Sequence, residues 1–195
     1  MRSEKWRHLL SVVHRESFRR GEFTLASGLK SDFYIDIRQT STHPEGAALI
    51  GDLILERVEQ LAERPKSVGG LALGAVPVAI AVTSRSVDYG VPLASFMVRK
   101  EVKDHGAGRR IDGHIVDGDA IVVVEDTITT GGSTLKAVEA IREDYPNCRI
   151  VQVIAVVDRE DGGRAAIEAA GLPFDALITR SDLFAYDDEL QNTPN

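Results

Sequence analysis

Short apolar runs alternate with amphipathic stretches along most of the chain. From residue 44 onwards this pattern predicts strands and helices in alternation. The predicted strands are residues 68–73, 92–98, 120–125, 149–157 and 176–179. The predicted helices are residues 44–64, 77–87, 133–143 and 162–170, with a final helical turn within 181–190. Strands that alternate with helices indicate an α/β fold, with a parallel sheet covered on both faces.

The N-terminal region carries a helical pattern and then a strand pattern. Apolar residues spaced i, i+3, i+4 and i+7 from Trp6 predict an amphipathic helix over residues 3–18. Residues 31–38 alternate, with apolar side chains on one face and Tyr34, Asp36 and Arg38 on the other. This alternation predicts a half-exposed strand whose polar face is available for function.

The most informative segment is residues 120–133, which predicts a buried strand, a turn and the start of a helix. The apolar run at 120–124 is typical of a parallel strand buried on both faces. Glu125 and Asp126 follow it, at the edge where open α/β sheets bind ligands. Residues 129–133, Thr-Thr-Gly-Gly-Ser, offer hydroxyl and backbone N–H groups at a helix N-terminus, which favours an anion. Carboxylates can bind the hydroxyl groups of a sugar, and the neighbouring anion site can bind its phosphate. The segment therefore suits a sugar phosphate as ligand.

Other interpretations of this phosphate signal are less specific or fit less well. Any α/β protein can contain a strand, a turn and a helix with acidic residues at its start. Residues 69–74 have the glycine spacing of a P-loop, but Ala75 and Val76 occupy the positions of its lysine and hydroxyl residue. No Gly-x-Gly-x-x-Gly stands between a predicted strand and helix, so the dinucleotide-binding fingerprint is missing.

Composition narrows the function classes. The chain has 195 residues, 43% of them hydrophobic, which fits one soluble globular domain. A net charge of −7 argues against a general nucleic-acid surface. The single cysteine, Cys148, excludes an intramolecular disulfide. No apolar run approaches the roughly 20 residues of a membrane span, and the N-terminus lacks an apolar signal region, so we expect a cytoplasmic location.

One segment runs against the acidic balance. Residues 99–110 contain six basic residues and only two acidic ones, Glu101 and Asp104. The basic residues are Arg99, Lys100, Lys103, His105, Arg109 and Arg110. Because the segment also contains Gly106 and Gly108, we expect a loop that holds an anion.

Residues 125–133, Glu-Asp-Thr-Ile-Thr-Thr-Gly-Gly-Ser, resemble the phosphoribosyl pyrophosphate (PRPP) signature of the type I phosphoribosyltransferases. Four further segments, in matching order, resemble the orotate phosphoribosyltransferases within that family. They are residues 23–38, the Gly-Ala-Val-Pro turn at 74–77 that would contact pyrophosphate, a mobile catalytic loop at 99–113, and a base-recognition turn at 157–163. The matching segments together span most of residues 18–165.

The resemblance implies roles for individual residues. The catalytic residues would be Lys100, Lys103 and His105. The PRPP-binding residues would be Arg99, Lys100, Lys103, His105, Glu125, Asp126, Thr127, Ile128, Thr129, Thr130, Gly131, Gly132 and Ser133. Orotate would meet Thr129, Arg159 and Lys30. The implied cofactor is Mg²⁺, held mainly by PRPP and water near Glu125 and Asp126.

The resemblance also implies the architecture. It is a Rossmann-like α/β core over roughly residues 41–160, with a small hood built from residues 1–40 and the C-terminal segment, in a single domain over 1–195. A homodimer is implied, in which the 99–113 loop reaches the neighbouring site. Two positions depart from the family pattern: Ala26 stands where some members have lysine, and Val76 stands where an acidic residue is frequent.

The expected reaction is Mg²⁺-dependent transfer of the 5-phosphoribosyl group from PRPP to orotate. Its products would be orotidine 5'-monophosphate and pyrophosphate, on the route to UMP. Two alternatives remain. One is a phosphoribosyltransferase for another base, which Arg159 and residues 24–38 disfavour. The other is a non-catalytic PRPP-sensing regulator, which would need a nucleic-acid surface that the composition does not provide.

Overall fold

The computed structural model describes residues 3–24, 30–101 and 110–192. In chain order its helices are α1 (Glu4–Ser17), α2 (Ile37–Ser41), α3 (Pro44–Val58), α4 (Ala75–Ser86), α5 (Gly132–Asp144), α6 (Gly163–Ala169) and α7 (Arg180–Asn192). Its strands are β1 (Phe18–Thr24), β2 (Lys30–Ile35), β3 (Ser67–Leu71), β4 (Ala94–Val98), β5 (Ile111–Gly113), β6 (Ala120–Ile128), β7 (Arg149–Asp158) and β8 (Phe174–Thr179).

The main sheet has six strands in the order β5-β4-β3-β6-β7-β8. Neighbouring strands from β4 to β8 are parallel, as the alternating pattern predicted, whereas the short edge strand β5 runs antiparallel to β4. A separate two-stranded antiparallel sheet pairs β1 with β2. The predicted α/β class is therefore confirmed, with β5 as an addition that its short sequence did not reveal.

Side chains of β6 alternate between two hydrophobic clusters, one on each face of the sheet. Val122 and Val124 join the cluster formed with α1, α3 and α4. Ile121 and Val123 join the cluster formed with α5 and α6. All four are fully buried. Because helices cover both faces of the sheet, residues 120–124 of β6 are all apolar. The acidic pair Glu125 and Asp126 follows them.

Several element boundaries differ from the sequence prediction. The strand predicted over 31–38 ends at Ile35, because the Asp36 side chain accepts a hydrogen bond from the Arg38 N–H at 3.2 Å and caps α2. The helix predicted over 44–64 ends at Val58. The strand predicted over 120–125 continues to Ile128, which pairs with Asp158 of β7.

The C-terminal region holds more structure than predicted. Instead of a helical turn within 181–190, α7 is a helix of 13 residues. Its Leu183 is fully buried, and Phe184 packs edge-on against Phe18 and Phe33 of the β1–β2 sheet. Among the described helices, none is both long and apolar enough to cross a membrane.

Candidate active site

A cleft of about 650 Å³ opens at the carboxyl ends of the parallel strands. Four segments of its wall follow these strand ends, after β3, after β4, at the end of β6 and after β7. A fifth segment comes from β2 and α2. The lining residues are Tyr34, Ile35, Asp36, Ile37, Arg38, Leu71, Ala72, Leu73, Gly74, Arg99, Lys100, Glu125, Asp126, Thr127, Thr129, Ser133 and Arg159. This is the position at which open α/β sheets bind ligands.

The turn between β6 and α5 presents the N-terminus of a helix towards this cleft. Gly131 precedes α5 with a φ of 82°, a left-handed conformation that favours glycine. No side chain caps the N-terminus of α5. Its first N–H groups therefore have no partner within the helix, and together with the helix dipole they favour an anion. Ser133, on the first turn of α5, lines the cleft.

The two adjacent acids at the end of β6 have different surroundings. Glu125 is only 5% exposed and accepts a long hydrogen bond, 3.4 Å, from the Thr134 hydroxyl of α5. Burial, reinforced by the Asp126 carboxylate, raises the pKa of Glu125 to about 8. Glu125 is therefore largely protonated at neutral pH. Asp126 is half-buried, and its Oδ1 accepts a hydrogen bond of 2.6 Å from the Thr127 N–H.

The β3–α4 turn closely approaches Asp126. A Cβ atom placed on Gly74 would lie 2.6 Å from Asp126 Oδ1, so a larger residue here would displace the Asp126 carboxylate. The Ala72–Leu73 peptide bond just before Gly74 is cis, and the Leu73 side chain is 76% exposed. Gly74 and the Asp126 carboxylate thus lie side by side on the cleft wall.

The oxygens of this wall suit Mg²⁺ only in part. Within residues 3–24, 30–101 and 110–192, no group of three or more His, Cys, Asp or Glu side chains is placed to hold a metal ion. The half-buried Asp126 carboxylate does face the cleft beside Glu125. Mg²⁺ retains water and commonly binds proteins through one or two carboxylates plus phosphate oxygens of the substrate. The donor set therefore fits an ion that is shared with a phosphorylated ligand.

Arg159 lies directly after β7, and its backbone N–H donates to the Ile128 carbonyl at 2.9 Å. Its guanidinium lies over the Phe33 ring, with Cζ 4.7 Å from the ring centroid. The side chain is only 11% exposed and lines the cleft. Its Nε lies 3.2 Å from Asp161 Oδ2, an ionic contact whose angle does not satisfy hydrogen-bond geometry. The arginine is thus both ion-paired within the acidic turn and directed to the cleft wall.

The two cations directly after β4 are arranged differently. Arg99 lines the cleft, but its guanidinium pairs with Asp112 of β5, and its backbone N–H donates to the Arg110 carbonyl at 2.8 Å. Lys100 lines the cleft and is exposed. Of the other predicted loop residues, Lys103 and His105 lie outside the described residues.

Not every predicted site residue contributes a side chain to the cleft wall. Lys30 is exposed at the start of β2 and is not among the lining residues. The Ile128 side chain is buried in the core, so only its backbone is available to a ligand. Thr130, Gly131 and Gly132 belong to the turn but do not line the cleft. The structure thus brings together Arg99, Lys100, Glu125, Asp126, Thr127, Thr129, Ser133 and Arg159.

Three cleft residues with polar side chains were missing from the sequence-based site. Tyr34, Asp36 and Arg38 line the cleft from β2 and α2. Arg38 donates from Nε and Nη2 to the two Asp36 carboxylate oxygens, at 2.8 and 2.9 Å. The alternating pattern over 31–38 had marked this face as polar, but it carried no information on which ligand group the face would meet.

Comparisons with known proteins agree with this geometry. A phosphoribosyl transferase domain model matches residues 37–169. An orotate phosphoribosyltransferase of Bradyrhizobium sp. (strain BTAi1) is 49% identical over 173 residues, which cover 87% of this chain and 91% of that protein.

Solved structures of orotate phosphoribosyltransferase from Mycobacterium tuberculosis H37Rv are also similar. The complex with Fe(III) dicitrate matches with a TM-score of 0.81 and 41% identity, over 92% of this chain and 98% of that chain. The complex with PRPP matches with a TM-score of 0.77 and 38% identity, over the same shares, 92% and 98%. The predicted fold and enzyme class are confirmed, and the chain belongs to the orotate phosphoribosyltransferases of the type I phosphoribosyltransferase family.

Proposed function

We propose that this protein transfers the 5-phosphoribosyl group of PRPP to orotate, in a Mg²⁺-dependent reaction that yields orotidine 5'-monophosphate and pyrophosphate for UMP synthesis. One observation carries the proposal: a single cleft combines an uncapped helix N-terminus, the adjacent acidic residues Glu125 and Asp126, and a nearly buried arginine. These groups match, in turn, a phosphate, a ribose with two hydroxyls and an anionic base. A structurally similar relative has been solved in complex with PRPP.

The 5-phosphate binds at the turn between β6 and α5. Residues 127–133 surround it, and the first N–H groups of α5 donate to its oxygens. The uncapped start of α5 and the left-handed Gly131 support this role. Thr127, Thr129 and Ser133 add side-chain oxygens from the cleft wall, whereas Ile128, Thr130, Gly131 and Gly132 shape the backbone.

The ribose hydroxyls bind at the acidic pair. Asp126 accepts hydrogen bonds from the hydroxyls as a carboxylate, while protonated Glu125 can also donate one. Mg²⁺ would be held near these two residues, chiefly by PRPP oxygens and water, and when bound it would neutralise charge on pyrophosphate. Gly74 supports this assignment because it leaves room beside the Asp126 carboxylate.

Pyrophosphate leaves the ribose anomeric carbon together with the bonding electron pair, and a ring nitrogen of orotate forms the new bond. The proton of that nitrogen passes to the released pyrophosphate or to water. Positive charge near the leaving group therefore stabilises the transition state. Lys100, which is exposed at the cleft, and Arg99 are the described cations available for this role. Lys103 and His105 complete the proposed catalytic set. Strand β5 (Ile111–Gly113) belongs to the main sheet, so the predicted 99–113 loop is limited to the segment between β4 and β5. Closure of this segment on the substrates would exclude water, which would otherwise hydrolyse PRPP.

Orotate binds on the Arg159 side of the cleft. A guanidinium fork matches the carboxylate of orotate in a bidentate manner. The stacking of Arg159 on Phe33 and its low exposure support a fixed orientation. Thr129 lies on the same wall. Lys30, exposed at the start of β2, is retained as a proposed contact from the hood, which we assign to the β1–β2 sheet with α1 and α7.

We also propose a homodimer, in which the 99–113 loop reaches the neighbouring site. An apolar face of α3 and α4 supports a second copy as the partner: Ile80 is 51% exposed beside a groove that Pro44, Ala47 and Pro77 also line. Sedimentation of Ile80→Glu should show a monomer. The matched control is Val116→Glu, at an apolar side chain that is 65% exposed outside that groove. A dimer that persists in Ile80→Glu would contradict this interface.

The activity is tested by following the ultraviolet absorbance of orotate with the purified protein, PRPP and Mg²⁺. We expect the absorbance of orotate to fall, and the fall to stop when a chelator removes Mg²⁺. Unchanged absorbance with folded protein would reject the proposal. Equilibrium binding of PRPP would then separate a transferase for another base from a protein that only senses PRPP.

A further inference from the structure

The turn that carries Arg159 is fastened to the start of the C-terminal helix. Four side chains form this connection, and we call them the clasp: Glu160 and Asp161 from the turn, and Arg180 and Ser181 from α7. None of them lines the cleft. They join the cleft wall to α7, and their contacts converge on the immediate surroundings of Arg159.

Glu160 joins the turn to α7 through one carboxylate oxygen. Its Oε2 accepts hydrogen bonds from the Ser181 N–H at 2.9 Å and the Ser181 hydroxyl at 2.6 Å. Among the described non-glycine residues, Glu160 alone has a positive φ, 58°. Its N–H donates to Asp158 Oδ1 at 2.8 Å. A left-handed glutamate costs about 1 kcal/mol, and these three hydrogen bonds offset that cost.

Asp161 connects two arginines. Its Oδ2 lies 3.2 Å from Arg159 Nε, and its Oδ1 accepts a hydrogen bond from Arg180 Nη1, also at 3.2 Å. Arg180 in turn lies 3.7 Å from Glu160 Oε2 through its own Nε. One carboxylate therefore ties the Nε edge of the Arg159 guanidinium to a cation on α7.

The Phe33 ring packs against the face of the Arg159 guanidinium, and Arg180 lies over the same ring. Arg159 Cζ is 4.7 Å and Arg180 Cζ 5.9 Å from its ring centroid. The ring is itself held edge-on by Phe184 of α7, at 5.4 Å between centroids. Stacking on Phe33 defines the plane of the Arg159 guanidinium, and the ionic contact with Asp161 attracts its Nε edge towards the clasp.

We propose that Asp161 and Glu160 are positioning residues for the base: with Arg180 and Ser181 they hold the Arg159 guanidinium in the orientation that receives the substrate carboxylate. The proposal rests on the proposed function, in which Arg159 meets orotate. It makes the start of α7 a determinant of base affinity, although α7 itself contributes no residue to the cleft lining.

The clasp is suited to orientation rather than to stability. The side chains of Glu160, Asp161 and Arg180 are 33–35% exposed, and ion pairs with this exposure add little to the free energy of unfolding. Loss of the clasp should therefore weaken orotate binding without unfolding the protein. PRPP binding should be unaffected, since its proposed contacts lie on other segments.

The test compares steady-state kinetics of Asp161→Asn in the wild-type and the Arg159→Ala backgrounds. In the wild-type background we expect KM for orotate to rise about tenfold, while kcat and KM for PRPP change by less than about twofold. In the Arg159→Ala background the same substitution should have no further effect, because the group that it orients is gone. Asp161→Glu should restore part of the affinity. The control is Glu63→Gln, which breaks a more exposed ion pair with Arg149 at the opposite end of β7 and should leave both KM values unchanged.

A second variant separates positioning from backbone strain. Glu160→Gly removes the carboxylate but is relaxed at this positive φ, so it should raise KM for orotate without lowering the melting temperature. Unchanged KM for orotate in both Asp161→Asn and Glu160→Gly would overturn the inference, as would equal effects of Asp161→Asn in the two backgrounds. A wild-type protein that does not consume orotate would instead reject the proposed function, and this inference with it.

Discussion

The two sides of the cleft are built in different ways. The proposed phosphate side is one continuous segment, from Glu125 at the end of β6 to Ser133 on the first turn of α5. The proposed base side is assembled from segments far apart in the chain: residues 34–38, Arg159 after β7, and the support of α7. The first side is defined by backbone conformation, and the second by contacts between side chains.

This difference determines how each side should respond to substitution. Backbone N–H groups at a helix N-terminus remain in place when a side chain is shortened. A guanidinium oriented by a ring and a carboxylate loses its orientation when either partner is removed. We therefore expect a single side-chain substitution to change substrate affinity less on the phosphate side than on the base side. The exception is the point where the two sides touch.

The largest effect is expected where the two sides touch, at Gly163. A Cβ atom there would lie 2.1 Å from Ile128 Cγ2 and 2.6 Å from the Thr129 carbonyl oxygen. Gly163→Ala must therefore push the base-side turn away from the phosphate-side turn. We expect it to lower the free energy of unfolding by about 3 kcal/mol and kcat/KM by at least about a hundredfold. Thermal unfolding and steady-state kinetics measure the two effects.

The neighbouring glycine provides the control for this substitution. Gly162 has a positive φ of 93°, but a Cβ atom there would meet nothing within 4 Å. Gly162→Ala should cost only about 1 kcal/mol of backbone strain. If Gly163→Ala proved no more harmful than Gly162→Ala, the two sides would not be coupled through this contact.

The next largest effect is expected from Arg159→Ala, which removes the main proposed base contact. KM for orotate should rise about a hundredfold, equivalent to ~2.7 kcal/mol, while KM for PRPP stays within about threefold. Arg159→Lys keeps the charge but loses the planar fork, so it should recover only part of the affinity. Equal losses for orotate and PRPP would contradict the division of the cleft into two sides.

The same division explains what the sequence could predict. The β6–α5 segment was predictable because its strand, acidic pair, glycines and helix start are contiguous, and each has a local physical meaning. The strand end was predicted too early, at residue 125, because the sequence does not show that Ile128 pairs with Asp158 of β7. Local pattern also hid the edge strand β5, which has only three residues.

The base side was predicted less completely. Arg159 is recognisable only through a family resemblance, since a single arginine in an acidic run carries no local signal of its own. The alternating pattern puts Arg38 on a strand, whereas capping by Asp36 puts it in α2 and beside the cleft. The α7 helix was underestimated because its support of Phe33 depends on tertiary packing. The periodicity of apolar residues predicts local elements, but it does not predict contacts between segments that are far apart in the chain.

Protonation offers a test confined to the phosphate side. Because the folded pKa of Glu125 is about 8 and its ordinary value is 4.5, the folded protein binds more protons than the unfolded chain between these values. Stability from this group is therefore present at low pH and is lost as pH rises towards 8. Relative to the wild type, Glu125→Gln should gain about 1–2 kcal/mol of stability between about pH 5 and pH 8, because the shared environment of Asp126 reduces the full effect.

Denaturant unfolding of both proteins at several pH values measures this difference. Above about pH 9 the difference should stop growing, since Glu125 is then ionised in both states. A constant difference across the whole range would mean that Glu125 is already ionised in the folded protein near neutral pH.

The smallest effect is expected from Ser133→Ala, on the first turn of α5. The substitution removes one hydroxyl from the cleft wall but leaves the N–H groups of the helix N-terminus in place. KM for PRPP should rise only about threefold, as for the loss of one neutral hydrogen bond, and KM for orotate should not change. Steady-state kinetics with each substrate varied in turn gives both values. A rise in KM for PRPP as large as the rise in KM for orotate in Arg159→Ala would mean that side chains, rather than backbone amides, hold the 5-phosphate.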